Sequence, residues 1–247
     1  MTTKVVPGSL VALPDGASVA REAANRLANL VRAAIDAHGY ATVALSGGGT
    51  PGPAYALLSE DARIDWSKVD FFFVDERAVP PDSARSNFRM VKEMLFDRAP
   101  IPAERIHRMH GEATDLAAAA RDYDLEIRAR LRWTESGMAE FDVGVFGVGD
   151  DGHVASLFPG EPTIDTTDRL VVDVPASGAR EARLSITAPV IEQTRAALVL
   201  AVGKGKKDAL ERVWATGGDV HHTPARLLRD VRGSVTWIID KAAGGLG

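Results

Sequence analysis

The stretch ATVALSGGGTPGPAYALLSE at residues 41–60 decides the fold. Its apolar run at 41–45 predicts a buried strand, the glycines that follow predict a tight loop, and residues from about 53 to 60 predict a helix. Strand, tight loop and helix in this order are the building unit of α/β proteins. We therefore expect this stretch to belong to a sheet whose strands are connected by helices.

The same alternation continues along the chain in both directions. Residues 17–37 carry apolar side chains at four-residue spacing, which predicts an amphipathic helix that ends at Gly39. Downstream, apolar runs predict strands at 69–74, 141–148, 169–174, 182–187, 197–202 and 234–239, and helices are predicted at about 116–131 and 206–214. The sequence thus predicts an α/β fold with a doubly wound, mostly parallel sheet and helices on both faces.

Composition narrows the class of protein. The chain has 247 residues, 45% of them hydrophobic, and no long linker, so we expect a single domain over 1–247. Its formal charge of -5 leaves no excess of Lys and Arg for a nucleic-acid partner. It has no cysteine and no apolar stretch of roughly 18 residues, which predicts a soluble, cytoplasmic protein without disulfides, thiolate metal sites or a membrane partner.

The segment SGGGTP at 46–51 is a candidate anion site because it lies between a predicted strand and a predicted helix. Glycines allow close approach of the backbone to a phosphate, Thr50 can cap the helix, and Pro51 suits its first turn. Three glycines could also simply form a tight turn. The Walker A pattern fails, whereas the dinucleotide fingerprint G-x-G-x-x-G is satisfied at 47–52, with Asp75 at a plausible distance for a ribose.

Two further strand exits carry polar groups. In the segment 74–90, Arg77 is a candidate phosphate clamp because guanidinium offers paired donors, and Asn87 and Arg85 could assist it, although charged loop residues are often only solvated. In the segment GVGDDGHVASLFPG at 147–160, His153 can accept a proton from water and Asp151 can orient its ring. Ligands of doubly wound sheets bind at such carboxyl ends of strands.

The remaining basic and imidazole groups are less informative. Charge alone does not decide which of Lys204, Lys206 and Lys207 would meet a phosphate. The adjacent His221 and His222 are expected in a loop and not in a metal site, and the same is expected of His107 and His110. No catalytic triad or metal-ligand motif is present, so we predict no metal.

Five segments, taken in order, resemble the glucosamine-6-phosphate isomerase/6-phosphogluconolactonase family from about residue 40 to the end. They are SGGGTP at 46–51, VDER at 74–77, GVGDDGHVASLFPG at 147–160, RLSIT at 183–187 and GKGK at 203–206. The resemblance is to the lactonase branch. It implies a NagB/RpiA-like, Rossmann-type fold, and hydrolysis of the lactone of 6-phosphogluconate in the oxidative pentose phosphate pathway without a cofactor.

The resemblance also assigns roles to residues. It implies that His153 is the general base, with Asp151 beside it, and it selects Lys206 among the three lysines. Together with Asp75 and Asn87 from the second segment, the predicted substrate-binding residues are Ser46, Gly47, Gly48, Thr50, Asp75, Arg77, Asn87, Arg183 and Lys206. The expected partner is a small phosphorylated sugar lactone, and we expect a monomer.

Three alternatives remain at this point. The deaminase-isomerase branch resembles the chain through Asp-Gly-His but places a Glu five residues after the His, where this chain has Phe158, which cannot exchange protons. A sugar-phosphate-sensing regulator would need a DNA-reading module, for which neither terminus has the length or the basic charge. A nucleotide-binding oxidoreductase would use the glycine fingerprint, and a nucleotide titration distinguishes it.

Overall fold

A computed structural model describes residues 4–134 and 137–246; residues 1–3, 135–136 and 247 of the predicted 1–247 domain lie outside it. The described residues form eleven strands and seven α-helices. In chain order they are β1 (Ser9–Leu13), α1 (Gly16–His38), β2 (Ala41–Leu45), α2 (Gly52–Leu58), β3 (Val69–Phe73), β4 (Asp75–Arg77), α3 (Asn87–Val91), α4 (Leu116–Arg130), β5 (Arg132–Trp133), β6 (Ala139–Glu140), β7 (Val143–Gly147), β8 (Val171–Val174), β9 (Arg183–Ile186), α5 (Ala188–Glu192), β10 (Ala196–Ala201), α6 (Lys207–Trp214), β11 (Ser234–Asp240) and α7 (Lys241–Gly244).

The main sheet has six parallel strands in the order β1-β11-β10-β7-β2-β3. Every residue of β2, β3 and β10 is buried, because helices cover both faces of the sheet. On one face α1 packs along β2, β10 and β11. The predicted fold class, a doubly wound and mostly parallel α/β sheet with helices on both faces, is confirmed.

A second, antiparallel sheet has the order β4-β9-β8. The strands predicted at 169–174 and 182–187 are present as β8 and β9, but they belong to this small sheet and not to the parallel one. Strand β4 starts two residues after β3 ends, so the small sheet continues from the carboxyl edge of the main sheet. Its register places Arg77 directly opposite Arg183.

The helix predictions hold with small shifts in their ends. The predicted helix at 17–37 is α1, which begins after the Asp15 cap and ends at Gly39 in the left-handed conformation. The expectation that Thr50 caps the helix after the glycine loop was wrong, since α2 begins after Pro51 without a side-chain cap. Within the described part of the chain, no helix is long and apolar enough to cross a membrane.

Candidate functional site

One cavity of about 370 Å³ opens at the carboxyl ends of β2, β7 and β10, where ligands of such sheets bind. Glycine-rich loops follow these strands, and β4, β9 and the first residue of α3 close the side of the cavity. The predicted site residues that line it are Ser46, Gly47, Gly48, Thr50, Asp75, Arg77, Asn87, His153, Arg183 and Lys206. Asp151 does not line the cavity but contacts the ring of His153.

The loop after β7 holds His153 through Asp151. The carboxylate Oδ1 of Asp151 lies 2.6 Å from His153 Nδ1 and also accepts the backbone N–H of His153 at 3.0 Å. Burial acts to raise the pKa of Asp151, but the hydrogen bonds from His153 outweigh it and lower the pKa to about 2. Because an ionised carboxylate can only accept, Nδ1 carries the ring proton. Nε2, which has no partner among the residues described, is left as an acceptor.

The backbone of this loop is adapted to the imidazole. A Cβ added at Gly149 would lie 2.1 Å from His153 Nδ1, so only glycine allows the ring to fold back over the loop. Ala155, which lines the cavity, has φ 49, a left-handed conformation that is uncommon for a residue with a side chain. Strain of this kind concentrates at functional sites.

An aromatic ring supports the imidazole from the side. The centroid of Phe158 lies 4.7 Å from that of His153, and the guanidinium of Arg180 lies 3.9 Å above the Phe158 ring. Arg180 is fixed in turn by Glu161 at 2.8 Å. The His153 ring is therefore held by a hydrogen bond at Nδ1 and by packing against a ring.

Two arginines face each other across the small sheet. Arg77 and Arg183 are directly opposed residues of β4 and β9, an arrangement of like charges that destabilises a sheet unless an anion separates them. Burial, with the nearby charge of Arg77 adding to it, lowers the pKa of Arg183, although Asp75 at 3.7 Å partly compensates. Both side chains line the cavity, which therefore has a positive wall.

Asp75 occupies the middle of a buried hydrogen-bond network. Its Oδ2 accepts the hydroxyl of Ser156 at 2.6 Å, and its Oδ1 accepts the amide of Asn87 at 3.1 Å. The hydroxyl of Ser185 in turn accepts the backbone N–H of Ser156. The Asp75 carboxylate is thus fixed in orientation at the cavity wall, where a lone pair can accept a ligand hydroxyl.

The glycine loop after β2 approaches this network closely. A Cβ at Gly47 would come within 1.9 Å of Asn87 Oδ1, so a side chain there would displace Asn87. Tyr55 in α2 fixes the start of the loop by donating its hydroxyl to the carbonyl of Ser46 at 2.9 Å. The loop is therefore held against Asn87 on one side and α2 on the other.

Only one of the three candidate lysines reaches the cavity. Lys206 lines it at the start of α6, with its Nζ 2.6 Å from Asp150 Oδ1, whereas Lys204 and Lys207 are exposed. Arg85 does not line the cavity, and its exposed side chain pairs with Glu181. The structure thus brings Lys206 to the predicted site and leaves Arg85 outside it.

Several polar atoms of the cavity wall lack a partner. Among the described residues, seven buried side-chain atoms have no hydrogen bond, and four of them belong to lining residues. These four are Ser46 Oγ, Asn87 Oδ1, Arg77 Nε and Arg183 Nε. Because an unpaired buried polar atom is costly, their concentration here indicates a site built for a polar ligand.

A family model described as glucosamine-6-phosphate isomerases/6-phosphogluconolactonase matches residues 14–237. The chain belongs to this family. The 6-phosphogluconolactonase of Synechocystis sp. is 36% identical over 211 residues, which cover 85% of this chain and 86% of the relative. The solved 6-phosphogluconolactonase of Trypanosoma brucei has a TM-score of 0.87 at 26% identity and covers 98% of this chain and 99% of its own. A monomeric glucosamine-6-phosphate deaminase shares the fold, with a TM-score of 0.79 at 21% identity. The match covers 97% of this chain and 100% of the deaminase chain.

Glu76, in the segment VDER at 74–77, anchors the cavity wall and is not among the predicted site residues. Glu76, 3% exposed, accepts the backbone N–H groups of Arg77, Asn87 and Phe88 at 2.7 to 2.8 Å and the hydroxyl of Ser86 at 2.9 Å. Burial raises the pKa of Glu76 despite these donors. It fixes the loop between β4 and α3, and the only signal in the sequence was an acid at the end of a buried strand.

The histidines outside the cavity have partners of their own. His221 and His222 lie in a turn, where both contact Asp219 and His221 also contacts Asp165 at 2.8 Å, so the loop prediction is confirmed. His107 is buried, whereas His110 is exposed. The described residues contain no group of three or more His, Asp or Glu side chains that could hold a metal ion.

Proposed function

We propose that this chain hydrolyses 6-phospho-D-glucono-1,5-lactone to 6-phospho-D-gluconate, the lactonase activity of its family. The observation that supports it most is the free Nε2 of His153 in a cavity that also holds Arg77, Arg183 and Lys206. A base and an anion-binding wall in one cavity suit a substrate that carries a phosphate at one end and a carbonyl at the other.

His153 is the proposed general base. Asp151 keeps the proton on Nδ1, so Nε2 can take a proton from a water molecule that attacks C1 of the lactone. The resulting imidazolium can return this proton to the ring oxygen as the bond between C1 and that oxygen breaks. The products are a C1 carboxylic acid, which ionises, and a free C5 hydroxyl. Asp151 stabilises the transient imidazolium, as an ionised neighbour should.

The phosphate is proposed to bind among Gly47, Gly48, Arg77 and Lys206, with Arg183 beside them. Guanidinium groups offer paired hydrogen bonds to phosphate oxygens and ammonium offers a point charge. Ser46 and Thr50 add hydroxyls to this part of the wall.

The sugar ring then lies over Asp75 and Asn87, whose oxygens can accept its hydroxyls. This placement leaves C1 facing His153. δ-Lactones already hydrolyse spontaneously, so positioning and proton transfer are sufficient for catalysis.

We favour hydrolysis over isomerisation because of the surroundings of His153. Where the isomerase branch is expected to place a carboxylate, Phe158 packs on the imidazole at 4.7 Å. A phenyl ring excludes water from that side and provides no second proton-transfer group. The same ring supports a base that needs only one proton acceptor atom.

The experiment is to incubate the protein with freshly prepared 6-phosphogluconolactone and follow acid release against the spontaneous rate. We expect strong acceleration that survives dialysis against a chelator, because we propose that no metal or cofactor takes part. We further propose that the chain is a single domain and a monomer. Gel filtration tests the oligomeric state. Acid release at the spontaneous rate would contradict the proposed function.

A further inference from the structure

Asp150 lies in the cavity with its carboxylate on Lys206. Its Oδ1 is 2.6 Å from Lys206 Nζ, and a Cβ added at Gly205 would lie 3.1 Å from its Oδ2. The Asp150 side chain is 69% exposed, whereas that of Lys206 is 23% exposed. The less constrained partner of this ion pair is therefore the aspartate.

The carboxylate stands where an anionic ligand would meet Lys206. Arg183 faces Asp75 at 3.7 Å, so two of the three cations that line the cavity have an acidic neighbour. Asp75 is buried and held by Ser156 and Asn87, so it cannot turn away. Asp150 has no such anchor on its side chain among the residues described.

We propose that Asp150 is a specificity-determining residue that acts as a resident counter-ion of Lys206. Without substrate the Asp150 carboxylate forms an ion pair with Lys206, and the phosphate of the substrate displaces this carboxylate. The inference rests on the proposed function, because it places the substrate phosphate at Lys206. A phosphate dianion that also contacts the arginines can replace the internal carboxylate, whereas a singly charged anion gains too little to do so.

The proposal makes a directional prediction for inorganic phosphate. Asp150→Asn keeps the shape of the side chain and removes the charge that competes for Lys206. The backbone of the loop should stay in place, since Arg212 donates to the carbonyl of Asp150 at 3.2 Å. We expect the variant to bind inorganic phosphate about tenfold more tightly by calorimetry at low salt, and to have a lower KM with a smaller change in kcat.

A matched control is Asp208→Asn, which removes the same charge from an exposed position in the first turn of α6. We expect less than about a twofold change in phosphate affinity there. In a Lys206→Ala background, Asp150→Asn should also lose most of its effect, because the competition acts through the lysine.

Weaker or unchanged phosphate binding by Asp150→Asn would overturn the inference, and so would an equal gain in the Asp208→Asn control or in the Lys206→Ala background. Phosphate titration does not depend on turnover. If the lactone is not hydrolysed but Asp150→Asn binds phosphate more tightly as expected, the proposed function alone is contradicted. If the lactone is hydrolysed but Asp150→Asn binds phosphate no more tightly than the wild type, this inference alone is contradicted.

Discussion

His153 can act as proposed only while its ring keeps one orientation. Asp151 fixes Nδ1 at 2.6 Å, and Phe158 blocks one side of the ring. The position of this residue in a glycine-rich strand exit made it recognisable from the sequence. The packing of Phe158 against the His153 ring could not be predicted, because it depends on the path of the loop between the two residues.

The first prediction concerns this base. His153→Ala should lower kcat by roughly 10²- to 10⁴-fold, because the attacking water loses its proton acceptor. The free energy of unfolding should change little, since the side chain is part of an open cavity. Steady-state kinetics and chemical denaturation measure the two quantities. The control is His222→Ala, which removes an imidazole that is 84% exposed. Wild-type turnover in folded His153→Ala would move the base elsewhere, first to Asp75.

The second prediction separates phosphate binding from chemistry. Arg77→Ala and Lys206→Ala should each lower kcat/KM for the phosphorylated lactone by about one to two powers of ten, since a charged hydrogen bond is worth about 1.5–3 kcal/mol. The same variants should hardly affect glucono-lactone without the phosphate, which is expected to be a poor substrate for all forms. Arg85→Ala is the control, because this arginine lies outside the cavity. Equal losses on both substrates would place the phosphate elsewhere.

At the scale of elements, the connection between β4 and α3 shapes one wall of the cavity. The pattern of residues 74–90 predicts a strand end and a polar loop, yet Asn87 begins a helix. The helix start depends on Glu76, which accepts N–H groups eleven and twelve residues ahead. A contact between residues this far apart in sequence leaves no signal in the local pattern, so α3 could not be predicted.

The third prediction tests that connection. Glu76→Gln should lower the free energy of unfolding by about 2–4 kcal/mol, because the amide NH₂ must face backbone N–H donors that the carboxylate now accepts. It should also raise KM, since Asn87 and Arg77 lose their anchor. Glu93→Gln, at an exposed ion pair with Arg89, is the control and should cost less than about 1 kcal/mol. A variant as stable as the wild type would show that the loop does not need the carboxylate.

Other elements differ in how clearly the sequence encodes them. The central strands were predictable because burial on both faces requires continuous apolar runs such as residues 197–202. The edge strand β1 was missed, since it is short and only partly buried. The antiparallel pairing of β8 and β9 was missed because strand period is the same in both kinds of sheet.

For the whole molecule, the glycine fingerprint at 47–52 left a dinucleotide site open, and the fourth prediction tests it. The glycines at 47–49 line the cavity together with Arg77 and Lys206, where we propose that they bind a sugar phosphate. NAD and NADP at millimolar concentration should therefore leave the melting temperature unchanged, whereas 6-phosphogluconate should raise it, because only a ligand of the native state stabilises it. A thermal shift with either nucleotide alone would restore the oxidoreductase alternative.

The last prediction concerns how the stability of the whole fold depends on pH. His107 is 3% exposed and joins three parts of the molecule. Its Nε2 lies 2.8 Å from Asp70 in β3, its Nδ1 lies 2.7 Å from Glu126 in α4, and its ring stacks on Phe72. Burial acts to lower the pKa of His107, but the hydrogen bonds to the two carboxylates outweigh it and raise the pKa above its ordinary value.

The sign of the effect follows from these contacts. A raised pKa means that protonated His107 stabilises the fold, fully below the unfolded value of about 6.5 and progressively less as pH rises through the folded value. The pKa values of Asp70 and Glu126 are lowered, so their contribution is present above their unfolded values and is lost in acid. The cluster should therefore stabilise the protein most between about pH 5 and 6.5.

His107→Gln isolates this contribution. Near pH 6 it should lower the free energy of unfolding by about 2–4 kcal/mol, since two carboxylates lose a charged partner. The difference from the wild type should shrink as the pH is raised above the unfolded value of about 6.5, because the wild type then progressively loses the same charge. Urea denaturation at each pH measures this difference, and His110→Gln, whose side chain is 60% exposed, should show almost none. A difference that stays constant from pH 6 to 9 would mean that His107 stabilises the fold by packing and neutral hydrogen bonds, and not as an imidazolium.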